Sequence, residues 1–141
     1  MKWIILILLC STSIASANHE LEDRNLSAGQ ILYTNNCASC HGAKLEGQPN
    51  WQSPNSDGIL PAPPHDATGH TWHHDDKTLH SIIKYGLANL IDGYEGKMMG
   101  FEENLSDKDI DSVLAYIKSY WPKDKYDNQW GLGDLKKMDG D

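Results

Sequence analysis

The sequence predicts an all-α fold of three to four helices and long loops. Three observations predict it. Ile110, Val113, Leu114, Ile117 and Trp121 recur at i, i+3, i+4, i+7 and i+11, one apolar face of an amphipathic helix. Leu79, Ile82 and Ile83 repeat that spacing over a shorter stretch. Between Gly42 and Trp72 neither the helical nor the strand period survives, and Gly, Pro, Asn, Ser and Asp dominate. A structureless segment of that length is unusual inside a compact domain, so it needs something large to pack on.

The elements follow in chain order. Residues 1–17 read as a secretory signal peptide: Lys2, a short apolar run from Ile4 to Cys10, and an A-x-A end at Ala15-Ser16-Ala17. The run is shorter than the ~20 residues that span a bilayer. An uncleaved anchor is the alternative, and membrane association is expected only if this segment is retained. Cys10 follows the bulky Leu9 and reads as a small apolar residue of the signal. Residues 18–25 are polar and read as a flexible leader. Residues 26–122 form one domain by length, and residues 123–141 a charged tail in which Trp130 can pin part of the chain.

Within the domain, Ser27 is a candidate cap for a first helix carrying Ile31 and Leu32. Gly29 inside that helix costs about 1 kcal/mol relative to Ala. It becomes informative if another helix crosses closely there. Pro61, Pro63 and Pro64 restrict the following loop. Asp75 or Asp76 caps a second helix that ends near Gly86. Leu87 to Lys97, with Gly93 and Gly96, reads as loop. Ser106-Asp107-Lys108-Asp109 opens the last helix as a Ser cap with an acid three residues on, and Pro122 stops it.

The chemistry concentrates in Cys37-Ala38-Ser39-Cys40-His41. C-x-x-C-H is the attachment signature for c-type haem. Two thiols add to the two vinyl groups of one porphyrin, and the adjacent imidazole becomes the proximal iron ligand. A thioredoxin-like pair would want a β-α-β pattern, and a zinc site a second Cys or His pair. The chain beyond residue 17 holds no other Cys, so no thiol remains for a disulfide. A thioether often supplies the sixth ligand and blocks small ligands. Met98 and Met99 lie in a Gly-flanked loop just before the last helix, whereas Met138 lies in the tail.

Residues 26–121 resemble the class I (monohaem) cytochromes c. Gly29, Tyr33 and Cys37 to Gly42 match that family's opening. Met98-Met99-Gly100-Phe101, Leu105-Ser106-Asp107 and Val113 to Ile117 match its close. The resemblance implies the cytochrome c fold around one covalent haem c. It implies that the first and last helices cross at Gly29, Tyr33 and Tyr116. It also implies Met98 as the sixth iron ligand, with Met99 where the family has a proline and so the competing choice. The family's proline carbonyl on the proximal imidazole maps to Pro63, with Pro64 beside it. Trp72 and His70 are candidates for the haem propionates.

Five of seven His lie between His65 and His80: His65, His70, His73, His74 and His80. They read as loop hydrogen-bonding and capping groups, with a copper site built from imidazoles and Asp66, Asp75 or Asp76 as the alternative. The formal charge is −8, and −9 once Lys2 leaves with the signal. That excludes a nucleic-acid role and favours redox partners with a basic docking surface. No nucleophile or base constellation stands out, so the expectation is an electron carrier and not an enzyme, exported to the periplasm. A haem subunit of a dehydrogenase or oxidase complex is the second reading, and metal handling by the His cluster the third.

Overall fold

The computed structural model describes residues 13–94, 96–127 and 129. Residues 1–12 of the expected signal, Trp130 and Met138 lie outside them. Six α-helices are present among the described residues: α1 (Ser13–Asn36), α2 (Ala38–His41), α3 (Asp76–Tyr85), α4 (Leu87–Leu90), α5 (Asp107–Lys118) and α6 (Lys123–Asp127). A 3-10 turn covers Thr71–His73. The described residues form no strand, only an isolated antiparallel bridge between Gly86 and Met99. None of their helices is long and apolar enough to cross a membrane.

Helix α1 differs from expectation. It continues N-terminally past Ser27 to Ser13, so Ser27 lies inside the helix and caps nothing. The stretch from Ala15 to Arg24 has no Pro or Gly and is rich in Ala, Glu and Leu, strong helix formers. The other caps sit as read. Asp75 accepts the Thr78 N–H at 2.7 Å at the start of α3. At α5, Ser106 Oγ accepts the Asp109 N–H at 3.2 Å, and Asp109 Oδ2 accepts the Ser106 N–H at 3.0 Å. Two orphan N–H groups are thereby satisfied reciprocally. The region after Gly86 gains a short helix, α4, where only loop was expected.

The core lies between α1 and α5. Tyr33, Leu45, Ile110 and Val113 are fully buried, with Leu79, Ile83, Phe101, Leu105, Leu114, Tyr116, Ile117 and Trp121 around them. Gly29 is where the two helices touch. A Cβ there would overlap the Ser112 carbonyl oxygen and stand 2.9 Å from Tyr116 Cβ. The helix tolerates its glycine because the backbones pass that closely.

The start of the tail is docked. Lys125 Nζ sits 3.4 Å from the centroid of the Trp72 ring, over its face. Gln129 is buried, and its Nε2 donates to His74 O at 3.0 Å and Asp76 Oδ1 at 2.7 Å. Lys118 pairs with the same Asp76 carboxylate.

Candidate functional site

Helix α1 hands directly into the Cys-x-x-Cys-His turn. The Cys37 N–H donates to Tyr33 O at 2.8 Å, and the His41 N–H to Cys37 O at 2.9 Å. Tyr33 Oη closes the turn on Gly42 O at 2.9 Å. The two thiols therefore stand about one turn apart, Cys37 half-buried and Cys40 exposed, with no disulfide between them. Burial, with Cys40 nearby, pushes the Cys37 thiol up to about 11. A thiol activated for exchange shows the opposite shift.

His41 is buried, and the structure brings Pro63 to it: the Pro63 carbonyl lies 2.8 Å from Nδ1. Burial lowers the pKa of the imidazole, and the Pro63 hydrogen bond partly opposes that. With the Nδ1 proton on a carbonyl, the neutral ring presents Nε2 as its free lone pair, which is how ligating imidazoles are commonly oriented. The loop that supplies Pro63 is braced by Gly47, at φ 70°, where a Cβ would stand 2.7 Å from the Pro63 carbonyl carbon.

The two methionines part company. Met98 is half-buried against the core, whereas Met99 is 66% exposed. Their loop is fixed on α3. Met99 bridges Gly86, and a Cβ on Gly86 would stand 2.8 Å from Met98 O. The Phe101 N–H donates to Ile83 O and Lys84 O, both at 3.0 Å, capping the end of α3.

Trp72 packs at the edge of the core, and its Nε1–H already donates to Gly69 O at 3.0 Å. Its indole proton is thus held within its own loop. His70 is exposed and stacks on Trp51 at a centroid distance of 5.6 Å. His73 lies against Trp72, and His80 is 3.6 Å from Asp107. Among the described residues no three His, Cys, Asp or Glu side chains gather so as to hold a metal ion. The His-rich stretch thus splits into separate local contacts.

Three residues bear on the site in ways that sequence reasoning did not assign. His65 stacks on His41 with centroids 4.0 Å apart. Thr71 Oγ1 lies 2.9 Å from His65 Nδ1, and Trp121 Nε1 donates to His65 O at 2.8 Å. Trp121 was legible as core, but a partner 56 residues away leaves no local signal.

A haem fits these residues. Two free thiols and an Nε2 lone pair belong to one turn, and a single half-buried thioether belongs to the Met loop. Leu32, Cys37, Trp72 and Met98 border the core as a partly covered apolar margin, the lining that a large flat group needs.

The family model described as Cytochrome c matches residues 26–121. The chain is 32% identical over 94 residues to the cbb3-type cytochrome c oxidase subunit CcoP of Rhodobacter capsulatus, covering 66% of this chain and 28% of that protein. It is 27% identical over 111 residues to cytochrome c-555 of Prosthecochloris aestuarii, covering 70% of this chain and 90% of that one. Among solved structures, cytochrome CL of Methylophaga aminisulfidivorans MPT matches with a TM-score of 0.42 and 22% identity, over 93% of this chain and 85% of that one. The chain spans only about a third of the length of the oxidase subunits it resembles, from 28% to 36%.

Proposed function

The chain belongs to the cytochrome c family, an all-α family that carries electrons on covalent haem c, and from that premise we propose a periplasmic single-electron carrier. Cys37 and Cys40 hold the haem, and His41 and Met98 ligate its iron. The observation that carries this reading is the Cys37–His41 turn, with Nδ1 of His41 committed to Pro63 O and Nε2 left free. The haem supplies a one-electron ferric–ferrous couple. The protein's residues do the rest. Pro63 orients the proximal ring and makes it a better donor. A soft thioether at Met98 favours the ferrous state and closes the sixth position to small ligands.

We place the mature start near Ala17, a cut that would remove the first five residues of α1, and infer export from the A-x-A end. The net charge of −8 favours partners with a basic docking surface, and such encounters are weak and small in area. The similarity to CcoP supports a second reading, in which the chain works within an oxidase complex. Mass spectrometry of the denatured holoprotein tests the first reading and is expected to show polypeptide plus one haem, beginning near residue 18. Free haem and two alkylatable thiols would refute it. Co-migration of the native protein with a terminal oxidase would favour the second.

A further inference from the structure

We propose that His65 is a positioning residue for the axial imidazole: its ring lies against that of His41 and holds it at one rotation about the bond from Nε2. The inference rests on reading His41 as the iron ligand. The hydrogen bond to Pro63 O does not fix that rotation alone, because carbonyl oxygens accept over a broad range of directions. A ring face does fix it. The two imidazoles have centroids 4.0 Å apart and planes 25° apart, so His41 cannot turn without striking His65.

His65 is itself held from several sides. Its N–H donates to Leu45 O at 2.8 Å. Its carbonyl accepts from Trp121 Nε1 at 2.8 Å, three residues beyond α5. Its Nδ1 is 2.9 Å from Thr71 Oγ1, in the 3-10 turn. The Tyr33 ring, from α1, meets it edge-on at 6.4 Å. Leu45, Trp121, Thr71 and Tyr33 are all buried. The loop, the segment after α5, the 3-10 turn and α1 therefore all contribute to the setting of one ring. A residue that only filled volume would need neither the Thr71 contact nor a flat face.

The setting of the axial ring governs its overlap with the iron orbitals, so the readouts are electronic. In the ferric holoprotein the spread of haem-methyl proton shifts and the EPR g values report ligand orientation, and the reduction potential reports its energetic effect. The parent's covalent haem is confirmed first by mass, and an unloaded parent refutes the premise independently of any His65 variant. His65→Phe keeps a flat face but loses the Thr71 contact, and is expected to move the pattern no further than Thr71→Val does. His65→Leu fills the space without one, and His65→Ala leaves it open; both are expected to change the methyl spread and shift the potential. Thr71→Val, which removes the Nδ1 partner together with a longer 3.4 Å bond to Pro64 O, should move the pattern in the same direction by less. If His65→Ala does not mature, His65→Leu and Thr71→Val decide. Parent-like spectra and potential in those two variants overturn the proposal, as does a His65→Phe shift as large as that of His65→Leu.

Discussion

Two adjacent methionines differ in burial, and the proposed choice of Met98 as ligand rests on that difference. Met98 packs on the core, while Met99 presents its side chain to solvent and its backbone to Gly86. Met98→Ala should remove the near-infrared thioether-to-iron band, lower the reduction potential, and let cyanide or carbon monoxide reach the iron. Met99→Ala should leave band and potential close to the parent, since it deletes an exposed side chain. Reversed outcomes in spectroelectrochemistry would assign the ligand to Met99. Cys37, Cys40 and His41 are proposed from a short motif that the sequence contains whole. Pro63 was reachable only through resemblance, because its carbonyl acts across 22 residues of loop. Trp72 reads differently in the fold, since its N–H is given to Gly69. His65 was grouped with its neighbours as one cluster, and only packing separates it from them.

At the scale of elements, the α1–α5 crossing sets the frame on which the Cys-x-x-Cys-His turn is mounted. The contact depends on a position without a side chain. Gly29→Ala would gain about 1 kcal/mol of helix propensity. It would also place a methyl against the Ser112 carbonyl, and overpacking of that kind costs typically about 1–3 kcal/mol. Both partners at the crossing are helix backbone, which gives way least, so the clash should win. Denaturant unfolding of the holoprotein should show a net loss of up to about 2 kcal/mol, and a gain would mean that the helices separate freely. Helices α3 and α5 were legible because capping and periodicity agree on them. The N-terminal extent of α1 was not, since composition alone suggested a leader. Neither was α4, a single turn too short to show a period, nor the docking of Gln129, one side chain bonded more than 50 residues away.

At the scale of the whole molecule, two electrostatic terms oppose each other as the pH falls. The chain carries −8 at neutral pH with a sequence pI near 5.2, so mild acid relieves self-repulsion. Against this, three carboxylates at the starts of α3 and α5 are held below their ordinary range. Asp75 is lowered chiefly by the Thr78 N–H, Asp107 by Lys84 at 2.6 Å, and Asp109 by Ser106. A carboxylate whose folded pKa is depressed contributes stability that is fully present above its unfolded value of about 3.9 and is lost as pH falls through the lower folded one. From about pH 6.5 downward His65 and His70, whose pKa values burial lowers, also leave the unfolded chain binding more protons. The melting temperature of the holoprotein should therefore fall slightly from pH 7 to 5 and steeply below about pH 4, where the carboxylates join them. Asp75→Asn combined with Asp109→Asn preserves side-chain oxygens able to cap but removes the titrating charge. Circular-dichroism melts of that variant should show a lower plateau at pH 7 and a shallower acid limb. An acid limb as steep as the parent's would show that the drop is carried elsewhere than at the helix starts.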